Sequence, residues 1–128
     1  MSQTESLSNF RFDEEFKEDV KVFYNRFIEL HELLDTNDLY SVGVLLKLLV
    51  PSDIYIPGQG MVPVSILRKR VEDGEPVSND VLKSLRYAQK ATELYHRWDR
   101  YRRDHENIIR MSQELNEYNE RRATQQQN

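Results

Sequence analysis

At 128 residues the chain has the length of one domain, and 38% hydrophobic against 31% charged residues allow only a modest core. The absence of cysteine excludes disulfides and thiolate metal sites, and a net charge of −4 argues against a nucleic-acid binder. The charge is unevenly spread: residues 1–53 hold five Lys/Arg against eleven Asp/Glu, residues 54–103 ten against six, and residues 104–128 three against five.

Met1 to Asn9 is polar and lacks the basic and apolar regions of a signal peptide, so residues 1–10 are expected to be disordered. A first helix is predicted to start near Asp13, with Asp13, Glu14 and Glu15 at the positive end of its dipole. Phe16, Val20, Phe23, Phe27, Leu30 and Leu34 alternate at spacings of four and three, which predicts one continuous apolar stripe widened by Tyr24 and Ile28. His31 and Asp35, one turn apart, are expected to pair. Thr36 or Asn37 is expected to cap the next helix.

That next helix, Leu39 to Val50, is apolar on nearly all sides and ends at Pro51. Gly43 within it costs about 1 kcal/mol in helix propensity, which close packing would have to offset. The following segment has another character. Ile54-Tyr55-Ile56 and Met61-Val62 flank Pro57-Gly58-Gln59-Gly60, and Pro57 then Gly58 suit the second and third positions of a type II turn. A hairpin over residues 54–64 is predicted, with Pro63 restricting its second strand to an edge. Ser65 to Val71 reads as a short helix carrying Arg68, Lys69 and Arg70.

After the loop Glu72 to Pro76, Ser78 is a helix cap, with Val77 and Leu82 at staple positions. From Asn79 to about Arg121 there is no proline or glycine, which predicts a helix roughly 60 Å long. Tyr87, Leu94, Tyr101, Ile108 and Leu115 recur every seven residues. The companion row Ala91, Trp98, His105, Ser112 and Asn119 decays from apolar to polar. The first half should therefore pack on the domain and the second half should be an arm. The organisation expected is a disordered 1–10, a helical domain 11–104 with the hairpin inserted, a projecting arm 105–122 and a disordered tail 123–128. The fold class is mainly α: a small helical bundle with a short hairpin and one very long C-terminal helix.

Chemistry-bearing motifs are sparse. Glu93 and His96 have the Glu-x-x-His spacing of di-metal carboxylate bundles, but no second such pair exists. Pro57-Gly58-Gln59-Gly60 lacks the Lys-Ser/Thr of a phosphate loop. Neither a catalytic constellation nor a cofactor, a metal or a small-molecule substrate is expected, and no apolar run is long enough to span a bilayer. The reading is an intracellular, soluble, non-enzymatic protein that self-associates or docks on a larger complex. Its expected protein-contact residues are Trp98, Tyr101, His105, Ile108, Ile109, Leu115 and Tyr118 on the helix, with Tyr55, Pro57, Gly58 and Met61 on the hairpin. One alternative is an oligomeric nucleic-acid-binding accessory using Arg68, Lys69, Arg70, Arg97, Arg100, Arg102 and Arg103, since cations interleaved with aromatics can meet phosphates and bases. Another is a small chaperone or inhibitor presenting the hairpin to one protein target.

Overall fold

The computed structural model describes residues 10–126, and the chain is mainly helical with a two-stranded hairpin and a long C-terminal helix. In order, the elements are α1 (Glu14–Phe23), α2 (Ile28–Asp35), α3 (Leu39–Leu49), β1 (Asp53–Ile56), β2 (Gly60–Pro63), α4 (Val64–Glu72) and α5 (Asn79–Gln126). The chain divides into two compact units. One holds the described residues up to Tyr40 together with those from Asp99 onward, and the other is Ser41–Trp98.

In the first unit the single N-terminal helix expected from the stripe is two helices. Glu14 and Glu15 open α1 at its positive end, as predicted. The helix stops at Phe23, and Tyr24 to Phe27 form a turn with no glycine or proline to announce it. Burial supplies the reason. Tyr24 is 1% exposed while Phe27 and Ile28 are 45% and 62% exposed, so the inward row runs Phe16, Val20, Tyr24 and resumes at Leu30 and Leu34. A continuous helix would hold Phe23 and Phe27 on that row instead. The turn's freed carbonyl is satisfied twice: Tyr24 O accepts from Phe27 N at 3.1 Å and from His31 Nε2 at 2.8 Å. His31 therefore bonds backbone, and Asp35 pairs with Lys21 rather than with His31 as expected.

The end of α2 also differs from the prediction. Asn37 adopts φ 55°, and its N–H bonds Leu34 O at 3.1 Å while Asp38 N bonds Leu33 O at 3.0 Å. This is a Schellman closure with asparagine in the left-handed position. Thr36 Oγ1 donates backward to Leu33 O at 3.2 Å, and Asn37 Oδ1 accepts from Phe12 N at 2.9 Å. Both side chains thus serve the preceding helix and the N-terminal segment, where capping of α3 was expected.

The second unit contains the hairpin. β1 and β2 pair antiparallel with Ile54 opposite Val62, Tyr55 opposite Met61 and Ile56 opposite Gly60. Gln59 N bonds Ile56 O at 2.9 Å and Gly58 takes φ 84°, the pattern of the type II turn that Pro57-Gly58 predicts. The strand period sends Ile54, Ile56 and Val62 inward, where they join a core of Val64, Leu67, Val81, Leu85 and Ala88 from α4 and α5. A lone hairpin is marginal in water, and this core is what supports it.

α4 closes at Gly74 (φ 78°) with a second Schellman pair, Gly74 N to Val71 O and Glu75 N to Arg70 O. Ser78 then caps α5 as predicted, its Oγ accepting from Val81 N at 3.3 Å. α5 has 48 residues and runs past Arg121 to Gln126, so residues 123–126 of the expected tail are helical. Residues 1–9 and 127–128 of the two expected disordered ends lie outside the described residues. Among the described residues no helix is long and apolar enough to cross a membrane.

Candidate interaction surface

Trp98, Tyr101 and His105 sit on the apolar side of α5, but each already has intrachain neighbours. Trp98 is 6% exposed; its indole lies over Gly43, where a side chain would collide with the ring, and Tyr95 packs beside it at 5.4 Å between centroids. In the first unit, Tyr101 and His105 are half-buried beneath the N-terminal segment. Phe10 meets Tyr101 at 5.9 Å and His105 at 5.4 Å, while Phe12 and Phe16 meet Tyr101 edge-on at 5.2 and 5.1 Å. These distances and angles suit the ring quadrupoles. The Tyr101 hydroxyl donates to Asp13 Oδ2 at 2.9 Å and accepts from Asp13 N at 3.4 Å. Phe10, assigned by composition to a disordered terminus, is part of this cluster.

Charged residues of α5 between Asp99 and Glu106 pair along the helix. Asp99 receives Arg102 at 2.8 Å and Arg103 at 2.9 Å, and Arg102 also reaches Glu106 at 2.9 Å. The Tyr40 hydroxyl donates to Glu106 at 3.4 Å, and burial together with the nearby Glu106 charge pushes that phenol above its ordinary range. Arg70 is shared between Gln59 at 3.1 Å and Glu75 at 4.0 Å. Of the cations proposed for a polyanion, Arg70, Arg102 and Arg103 are therefore engaged with carboxylates of this chain. Arg68, Lys69 and Arg100 are exposed and Arg97 is half-buried. Arg68 also borders a surface groove of about 530 Å³ between α4 and α5, where Arg86 is balanced by Glu72 and Glu93. A groove of mixed sign attracts neither anions nor cations strongly. Among the described residues no group of three or more metal-ligating side chains converges.

The chain matches no family model, no curated protein and no solved structure.

Exposed apolar side chains occur on several elements, Val44 and Leu48 of α3 among them, and two groups coincide with the expected contact residues. On the outer face of the hairpin Tyr55 and Met61 are cross-strand partners, 65% and 61% exposed, beside an exposed Pro57-Gly58 turn. On α5, Ile108, Met111, Leu115 and Tyr118 are 57–63% exposed. Ile109, by contrast, is half-buried. At 3.6 residues per turn the row Ile108, Met111, Leu115, Tyr118 points about 95° away from the half-buried row Tyr101, His105, Ile109, Ser112. It is a second apolar face and not the continuation of the first. Met111 was missing from the sequence-based set because the companion row was followed at spacing four, to Ser112 and Asn119, where spacing three reaches Met111 and Tyr118.

The ion pairs carry a pH dependence. Hydrogen bonds from Arg102, then its charge and that of Arg103, hold the Asp99 carboxyl below its ordinary 3.8, and Lys21 does the same for Asp35. A lowered folded-state value means stability present above the unfolded value and lost as pH falls through the folded one. The urea midpoint should therefore be flat from pH 7 to about 5 and drop below about 4. Asp99→Asn should lower the neutral-pH midpoint and shrink the acid drop, whereas an undiminished drop in that variant would assign it elsewhere.

Proposed function

We propose that this chain is a non-enzymatic assembly protein that self-associates or docks on a larger complex through the C-terminal stretch of its long helix. The supporting observation is the exposed row Ile108, Met111, Leu115, Tyr118, at spacings of three, four and three. Contiguous exposed apolar surface on a soluble protein is most often an interaction site. An α-helix with such a row finds cover by laying it against another helix.

Solution mass tests this. Light scattering from low to several hundred micromolar should show the 15.3 kDa chain shift toward twice its mass, and Leu115→Asp should hold it at the monomer value. A mass that stays monomeric throughout removes self-association.

The hairpin supports a second reading, a small chaperone or inhibitor that presents Tyr55 and Met61 to one protein target. Their large exposure side by side on the hairpin favours it. Replacing both by Ser would abolish target binding and leave the solution mass unchanged under this reading.

A further inference from the structure

We infer that the partner of the exposed α5 row is a second copy of the same row, running antiparallel, and the inference rests on the self-association reading above. The row has charged ends. Asp104 lies four residues before Ile108 and Arg122 four after Tyr118, and both are exposed. The six positions Asp104, Ile108, Met111, Leu115, Tyr118 and Arg122 thus alternate at four, three, four, three, four, which is the seam of a coiled coil.

This spacing reads the same in both directions about Gln113. Laid antiparallel on a copy of itself, the seam brings Ile108 against Tyr118, Met111 against Leu115, and Asp104 against Arg122, each twice. A two-fold interface requires such self-complementarity. Large side chains meet in the four inner layers, and an opposite-charge pair closes each end. Parallel pairing would instead stack Asp104 on Asp104 and Arg122 on Arg122. Opposite charges at seam ends set orientation more than they add affinity. One flank works against the arrangement: two Glu114 side chains face each other near the axis, so Glu114→Gln should tighten the pair.

The four apolar side chains offer on the order of 400 Å² per copy, about half of what a standard interface buries on each side. The dimer is accordingly weak, with dissociation in the micromolar range. Phe10 and Phe12 cover Tyr101 and His105, and the row Ile108 to Tyr118 lies outside that covering and stays exposed.

Charge reversal separates the orientations. Asp104→Arg should weaken the dimer at least tenfold, because Arg then meets Arg122 of the other copy. Adding Arg122→Asp should restore it. In a parallel dimer Asp104→Arg only exchanges one like pair for another, and an unchanged dissociation constant would overturn the inference. Spin-label distances give an independent readout, since the chain has no cysteine of its own. A label at Arg100→Cys should lie roughly 40 Å from its symmetry mate when antiparallel and under 20 Å when parallel. A dimer with the short distance overturns the orientation and leaves self-association standing. A monomer at several hundred micromolar overturns both.

Discussion

Gly43→Ala is expected to destabilise the protein by about 2–3 kcal/mol, although the same change in an open helix stabilises by about 1 kcal/mol. The sign follows from one contact. A methyl group at position 43 would fall inside the indole ring of Trp98, which is itself buried and has no solvent to move into. Either the ring leaves its rotamer or the two helices part, and both lose packing that a close-packed interior does not recover. Trp98→Ala alone should cost about 3–5 kcal/mol. In that background the clash is gone, so Gly43→Ala should become neutral or stabilising, a coupling of about 3 kcal/mol between the two positions. Urea unfolding of the four proteins measures it. A stabilising Gly43→Ala in the otherwise native chain would show that the ring yields freely.

That contact also marks the boundary of what local sequence can convey. Gly43 was visible as a cost, yet nothing near it names the residue that demands it, because Trp98 lies on another element. The features that were legible are those fixed by neighbours in sequence. Ser78 caps α5, Pro57-Gly58 makes its type II turn, and the run without proline or glycine from Asn79 is one helix. The N-terminal stripe misled for the same reason. Its spacing was helical throughout, but Tyr24 is buried in place of Phe27, and the imidazole of His31 stabilises the break. Tertiary packing overrode a periodicity that contained no local stop signal.

The candidate surface was legible in part. The row Ile108, Leu115 and Tyr118 was singled out from spacing, and these residues are exposed. Trp98, Tyr101 and His105 belong to the same helix by pattern, but their neighbours are Gly43, Phe10, Phe12 and Phe16. An apolar side chain reads alike whether its partner is inside the chain or outside it. For Tyr101 and His105 the placement of the N-terminal segment separates the two, and the sequence gives no distance across 88 residues between Asp13 and Tyr101.

Phe16→Ala should cost about 3–5 kcal/mol, a large share of the about 5–15 kcal/mol that stabilises a typical domain. Phe16 is fully buried, stacks on Phe12 at 5.2 Å and meets Tyr101 at 5.1 Å. Removing it leaves a void and breaks two ring contacts, each worth about 0.5–1.5 kcal/mol beyond buried area. Tyr101→Phe gives the contrast. It keeps the ring and loses the exposed hydroxyl bonds to Asp13, so about 0.5–1.5 kcal/mol is expected. If packing holds the N-terminal segment, hydrogen exchange at the Lys17 and Tyr24 amides, bonded to Asp13 O and Val20 O, should quicken strongly in Phe16→Ala and little in Tyr101→Phe. Equal loss in the two variants would mean that the Asp13–Tyr101 bond, and not the ring cluster, fixes the segment. The size of the ring term decides the order. Three contacts of this kind converge on Tyr101, from Phe10, Phe12 and Phe16, against a single exposed hydroxyl.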